Sequence, residues 1–433
     1  MDAKQLDQLI NDNLPRARAI AENEAYYKGR HPPINSTPRK EAPDYRVSIP
    51  LLKVAVDQLA GYVVKPGSVQ YIGNEYDSVL KDIYDANEET LITQWAFKQA
   101  CINGSAFEIH WMQDGKDNFA IVPAGQGIPV YSNSLKPVML EFVWVRTVDG
   151  KETATVYDAE YVTTYVKDSK EFNLIDQEPH GYGKVPVVEF NIDINKCNLF
   201  DHTKEIVDAH DRLYSHDIAN ELEKFANAYL LIRDRLTQEN IDELKLNALF
   251  QGLGDNVTSA VAFLTKNIQT EFLQFSATNL LDMFYAAMQI PNPNDVKSST
   301  PASGYAMMLR NMSFEFMCAS IEGVFTRGIQ DRIRLILGHS LIGVQANDIT
   351  IKMNRNSPFD LESMARVSAQ LTGILDIEAI LDLFPPSLLS DEAKERILAG
   401  AESAKALSLE AFAQQSSAVD DPEDDNQEED PIE

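Results

Sequence analysis

Residues Ile206–Ile232 read I-V-D-A-H-D-R-L-Y-S-H-D-I-A-N-E-L-E-K-F-A-N-A-Y-L-L-I, and the rest of the chain is organised around them. Over Glu205–Arg233, Val207, Tyr214, Ile218, Leu222, Phe225, Tyr229 and Ile232 recur in steps of three, four or seven, which keeps them on one helical face. The spacing predicts one continuous helix, about 40 Å long at a rise of about 1.5 Å per residue. A second pattern, Glu271–Gln289, puts Leu273, Ala277, Leu280, Phe284 and Met288 on one side, and Pro291 ends it. A third begins near Pro301 and continues to Leu337. Between the last two lies I-P-N-P-N-D-V-K-S-S-T-P, Ile290–Pro301, too rich in Pro, Asn and Ser for helix or core strand. Helices hinged on an exposed polar loop suggest a mechanical part.

Towards the N-terminus, Asp2–Tyr27 is a charged helical pattern that ends at Gly29, and Pro50–Val64 is a strongly apolar helix with Val54, Leu59 and Val63 as buried candidates. A third helix is predicted over Tyr76–Ile102, ended by N-G-S. From Ala106 to Phe190 the hydrophobic period becomes two, broken by D-G and other turn signals, which predicts an antiparallel meander. The insert Thr237–Lys266 opens as a charged helix and closes on a short apolar V-A-F-L. Further on, D-I-T-I-K-M-N alternates as a strand, and helices are predicted around Leu361–Leu371, Ile377–Leu383 and Asp391–Phe412, the last with Ser390 as N-cap. From Gln414 onward the composition is that of a disordered segment. The fold class expected is α+β, mostly helical.

The formal net charge of −28 is the strongest compositional signal. Nine acids lie in the tail from Asp420 to Glu433, and without them the remainder still carries −19, with 57 acids against 38 bases. Acidity therefore belongs to the folded body too, which excludes DNA binding by counterion release over a broad basic surface. The N-terminus M-D-A-K-Q-L-D lacks the apolar segment of a signal peptide, and no run of about eighteen uncharged apolar residues occurs. A soluble protein of the cytoplasm is expected, with no membrane partner. Cys101, Cys197 and Cys318 are far apart and odd in number, as reduced thiols are.

The stretch Asp201–Asp217 holds His202, His210 and His216 with Asp208, Asp211 and Asp217, the composition of a metal site. Helical geometry argues against one: His210 and Asp217 share a face but lie two turns, about 10 Å, apart, whereas ligands converge to about 2 Å from one ion. The preferred reading is a solvated face with Asp208 and Arg212 as an i,i+4 ion pair. G-Y-G-K at Gly181–Lys184 lacks the first glycine of a phosphate loop, since Glu178 stands there, and Val185 replaces the magnesium-binding hydroxyl; it reads as a turn. Phe272, Phe275, Phe284, Phe314, Phe316 and Phe325 fall at helical spacing and are assigned to core or subunit contacts. In Pro291–Pro301, Lys297 is the single positive charge, and Thr300-Pro301 suits the start of the next helix. No catalytic residue, metal or cofactor is expected.

Read together, Y-Y-K-G at Tyr26, H-G-Y-G-K-V-P-V-V-E-F at His180, the Ile206–Ile232 run, F-L-T-K at Phe263, S-G-Y-A-M at Ser303 and I-T-I-K-M-N-R-N-S-P-F-D at Ile349 make the chain resemble the portal proteins of tailed double-stranded DNA bacteriophages, over about Tyr26–Ala399. Two departures are P-D-Y-R at Pro43, where the family has Asn-Arg, and V-K-P at Val64, where it has Gly-Lys-Pro. The resemblance implies a wing over residues 1–200 built from helices and an antiparallel sheet, stem helices over 201–236 and 267–290, and a clip over 237–266. It further implies a tunnel loop over 291–301, a long wing helix and strand over 302–358, a helical crown over 359–412 and an acidic tail over 413–433. In the same terms Asn292, Asn294, Lys297 and Ser298 line the DNA channel, and Glu239, Asp242, Lys245, Asn247, Asp255 and Asn256 of the clip meet partners.

The implied assembly is a dodecameric ring at one capsid vertex of the virion, with a phase in the host cytoplasm. Its implied partners are viral double-stranded DNA, terminase, a head-tail adaptor, and the major capsid and scaffolding proteins. The rival readings are a metal-dependent hydrolase or nuclease using the His/Asp cluster at 202–217, and a non-viral ring scaffold protein.

Overall fold

Amphipathic helices and alternating strands segregate much as the sequence pattern predicts in the computed structural model, which describes residues 1–31, 46–73, 80–168, 171–219, 229–232, 261–264, 270–293, 304–339, 349–355, 368–371, 376–382, 389, 393–401 and 403. The chain divides into two units, Met1–Arg355 and Asn356–Glu433. In the second, helical residues 368–371 and 393–401 accompany a short helix, Ile377–Asp382. All other described elements belong to the first unit.

That unit opens with α1, Ala3–Asp12, started by a capping box in which Asp2 accepts from the Gln5 amide and the Gln5 side chain accepts from the Asp2 amide. The expected single N-terminal helix is in fact two. Asn13 interrupts it, and α2, Leu14–Tyr27, restarts with Pro15 in its first turn, where a missing N–H costs nothing. Next come α3, Leu51–Val63, and β1, Val69–Ile72. Leu59 and Val63 are buried as expected, but Val54 is 42% exposed, because the core side of α3 is defined by Leu52, Ala55, Val56, Leu59 and Val63. The expected third helix is also divided, into α4, Lys81–Ala86, and α5, Glu89–Asn103, by Glu88 in the left-handed region at φ 52°. Gly104 closes α5 at φ 81°, with the Lys196 carbonyl so close that a Cβ would lie 2.1 Å from its oxygen; only glycine fits.

Strands β2, Ser105–Gln113, β3, Lys116–Val122, β4, Gly127–Tyr131, β5, Met139–Val148, β6, Lys151–Tyr157, β7, Tyr161–Asp168, β8, Glu171–Pro179, and β9, Val187–Asn191, form two antiparallel sheets where one meander is expected. The meander holds for five strands in the order β4-β5-β6-β7-β8. β9 leaves it after the turn at Gly181–Lys184 and pairs with β2 in the order β3-β2-β9, Ala106 opposite Phe190. Helix α1 lies on the larger sheet, where Leu6 joins Ile128, Val143, Val156 and Phe172 in one buried cluster and Lys167 reaches Asp7 at 2.9 Å.

After the sheets run α6, Lys204–Arg212, a π-helical segment Leu213–Ala219, strands β10, Tyr229–Ile232, and β11, Val261–Leu264, helices α7, Thr270–Met288, and α8, Gly304–His339, and β12, Thr350–Met353. The continuous helix predicted over Glu205–Arg233 is thus overturned. Its end, Tyr229–Ile232, pairs antiparallel with Val261–Leu264. A four-residue apolar run suits strand and helix alike, and a second apolar run supplies the ladder partner that decides the matter. The predicted strand near Thr350 forms and pairs with β1.

A buried charge network joins these parts. Arg332 of α8, 0% exposed, donates to both oxygens of Glu108 on β2 at 2.8 and 2.6 Å, and to Glu89 Oε1 and Thr93 Oγ1 of α5 at 2.9 and 2.7 Å. The rings of Phe119 and Phe190 lie 5.0 and 4.9 Å from the guanidinium carbon. Tyr71 of β1 donates to Glu89 at 2.6 Å. On the far side of Glu108, His110 lies 3.1 Å from Glu108 Oε1 and 3.1 Å from Asp117 Oδ1, so each ring nitrogen faces a carboxylate. Burial works against every one of these charges. Mutual pairing outweighs it: Arg332 and His110 are raised above their ordinary pKa values, and Glu108 is held down at about 2.

Arg332→Met leaves Glu108 and Glu89 buried without their cation, and urea unfolding should show a loss of about 3–5 kcal/mol. Adding Glu108→Met should recover part of it; a single-variant loss below about 1 kcal/mol would contradict the network's role. The pH dependence has two arms. His110, raised on folding, contributes stability that is fully present below about 6.5 and is lost as pH rises through its folded value. Glu108, lowered on folding, contributes stability present above about 4.5 that is lost as pH falls towards 2. In His110→Gln the alkaline arm should flatten in thermal melts while the acid arm remains.

Candidate channel segment and the polar cluster beside it

The segment with the strongest functional expectation begins where α7 ends. Gln289 adopts φ 54°, its amide donates to the Ala286 carbonyl at 3.2 Å, and the Ile290 amide donates to the Tyr285 carbonyl at 3.1 Å. These are the two bonds of a Schellman cap, and Ile290 and Tyr285 lie in the same buried cluster, as that motif favours. Pro291 then forbids another turn. The Pro291 carbonyl accepts from Gln58 of α3 at 3.5 Å, and the Asn292 side-chain amide donates to Asp282 at 3.2 Å. The loop therefore leaves from a fixed root, with Asn292 turned back onto α7. Asn294, Lys297 and Ser298 lie outside the described residues, as do Glu239, Asp242, Lys245, Asn247, Asp255 and Asn256.

Along α7, Ala277, Phe284, Tyr285 and Met288 are buried on one side, while Phe272 and Phe275 are exposed. Along α8, Phe314 and Phe325 are buried and Phe316 is exposed. The six aromatics thus divide evenly between core and open surface.

The His/Asp stretch corrects the expectation of a solvated face. His210 and Asp211 are each 1% exposed. Asp211 receives His210 Nδ1 at 3.3 Å and the Ile49 amide at 3.4 Å, and His31 Nε2 stands 3.0 Å from its other oxygen. Burial opposes ionisation of Asp211, yet His210, His31 and the Ile49 amide together hold its carboxyl below the usual range. Asp208 pairs with Tyr26 rather than with Arg212: the phenol donates to both its oxygens at 3.1 and 3.2 Å, and the Tyr26 ring stacks on His31 at 4.7 Å. Burial, then Asp208, pushes the Tyr26 phenol well up. One turn on, Ser215 Oγ accepts from the Val47 amide at 2.9 Å and donates to the Val47 carbonyl at 3.2 Å. The cluster ties α2 and residues 46–50 to α6 and its π-helical extension. Sequence spacing had no way to find His31 or Tyr26, which approach from more than 170 positions away.

Among the described residues, no group of three or more His, Cys, Asp or Glu side chains is placed to hold a metal ion. No helix among them is long and apolar enough to cross a membrane. Cys101 and Cys318 are buried, Cys197 is exposed, and all three are free thiols.

The family model described as "Phage portal protein, SPP1 Gp6-like" matches residues 6–407. A protein named "Portal protein" from Clostridium phage phiCD119 is 23% identical over 426 residues, covering 89% of this chain and 93% of its own length. The solved structure titled "Neck of native GTA particle computed with C12 symmetry" has a TM-score of 0.44 at 10% identity, covering 76% of this chain and 88% of its own. With the family match spanning almost its whole length, the chain belongs to the SPP1 Gp6-like phage portal proteins. It is a structural, non-enzymatic component of the phage head-tail connector.

Asp211→Ala strips His210 of its buried acceptor and His31 of its carboxylate neighbour, and should cost about 1–3 kcal/mol in chemical denaturation. Calorimetric titration of the unmodified chain with zinc or manganese should reveal no stoichiometric tight site. A saturable one-to-one site that vanishes in Asp211→Ala would reinstate a metal centre.

Proposed function

We propose that twelve copies of this chain form a ring at one capsid vertex, through which double-stranded DNA enters during packaging and leaves during ejection. The observation that carries the reading is the family match over residues 6–407. The charge supports it on physical grounds. Twelve copies bring roughly −336 formal charges at −28 each, and a wall of that sign repels phosphate, so a duplex slides without being trapped. Where position must be felt, a few local contacts suffice, and Lys297, with Asn294 and Ser298 beside it, is the cation of the loop between α7 and α8. The fixed root at Pro291 and Asn292 suits a loop that must stand against moving DNA. In this reading residues 237–266 form the clip that meets the terminase and later the head-tail adaptor, the sheets and their helices form the wing against capsid and scaffolding proteins, and ATP hydrolysis belongs to the terminase.

Lys297→Glu puts a negative charge at each loop. Packaged DNA per particle should fall roughly tenfold, the loss that about 1.4 kcal/mol of phosphate contact represents, while rings still form in electron micrographs. Wild-type packaging by the variant would remove the loop from the DNA path.

A further inference from the structure

Helix α7 carries two acids, Glu271 and Asp282, and no base among its 19 residues, and its outer side is apolar. Phe272, Phe275, Asn279, Met283 and Ala286 share one stripe at helical spacing. Phe272, Phe275 and Met283 are 62, 69 and 49% exposed. The stripe is opposite the side that buries Ala277, Phe284 and Met288. A helix apolar on both sides needs a second covering surface.

Helix α8 offers the complementary relief. Met312, Phe316, Ala319, Gly323 and Arg327 fall on one exposed stripe, bulky at its start and small in the middle. Two glycines of this helix behave differently. At Gly328 an added Cβ would lie 2.5 Å from the Phe190 ring, so packing within the chain demands glycine there. At Gly323 an added Cβ meets nothing within 4 Å. Glycine is the poorest helix former after proline, and nothing among the described residues explains it at mid-helix on an open face. A close approach from outside explains it, with the small stretch at Ala319 and Gly323 receiving large side chains.

We propose that the α7 stripe of one copy docks on the α8 stripe of the next, with Phe272 and Phe275 seated over Ala319 and Gly323. The two stripes are different surfaces of one chain, so the contact is head-to-tail, the kind that closes into a ring. Charge agrees with this register: α7 brings Glu271 and Asp282 to the seam, and the α8 stripe ends in Arg327. The inference rests on the portal reading and names the surface that would build the ring.

The test uses the full-length chain, Gly323→Leu, Phe275→Ser, and the pair Phe275→Cys with Gly323→Cys in a Cys197→Ser background, compared by negative-stain counting and non-reducing gels. Gly323→Leu should melt at the same temperature as the parent monomer or about 2 °C higher, because a better helix former replaces glycine in open space. Its ring fraction should nevertheless fall roughly tenfold. Phe275→Ser should lose rings similarly, and the cysteine pair should give a ladder of covalent multimers on oxidation. Normal rings from Gly323→Leu and Phe275→Ser, or a cysteine pair that closes only within one chain, would overturn this interface while leaving the portal reading intact. Loss of adaptor binding with rings preserved would also overturn it, assigning the face to another protein. Absence of rings in the unmodified chain would overturn both.

Discussion

Arg332 lies at full burial between two carboxylates from different layers, and the first unit is built around that fact. A guanidinium removed from water is tolerated only when its donors are met. Meeting them recruits Glu108 from the three-stranded sheet and Glu89 and Thr93 from α5, while Tyr71 of β1 reaches the same Glu89. The 36-residue α8 is thereby fixed against sheet and helix near its C-terminal end. Hydrophobic contact would hold the layers together without choosing one sliding position, since apolar surfaces are forgiving. A fully buried bidentate ion pair chooses one.

A second clamp acts at the other end of the same layer. Arg355, the last residue of the first unit, grips both oxygens of Glu322 at 2.6 and 2.9 Å and also binds Glu315, which accepts from Tyr62 of α3. The Tyr26–His31–Asp211 cluster on α6 and the Schellman cap at the end of α7 add polar contacts that fix two further helices. That distribution suits the proposed role, in which the helices must stay registered while DNA moves past them.

Much of this was legible in the chain. The strand alternation from Ala106 onward, the stop at Pro291 and the long helix ending near Leu337 all follow from local pattern, and each is found. What failed depended on distant partners. Tyr229–Ile232 looks helical in its own window and becomes a strand because Val261–Leu264 offers a ladder. β9 leaves the meander because the open edge of β2 is the better partner. The His/Asp stretch reads as a solvated face because nothing near it in sequence announces that Tyr26, His31 and Ile49 will cover it. In sequence Arg332 is one arginine among charged neighbours, and its partners Glu89 and Glu108 stand more than 200 positions away. The expectation that Asn294, Lys297 and Ser298 line a DNA channel comes from family resemblance and charge, and these three fall outside the described residues.

The central claim is that this acidic chain closes around DNA with α7 and the following loop turned inward. A cryo-electron microscopy reconstruction of the purified full-length chain tests it most directly. The account predicts a closed ring in which residues 270–293 line the bore and residues 291–301 form its narrowest part. A ring carrying those residues on its outer rim, or particles with no central passage, would contradict it.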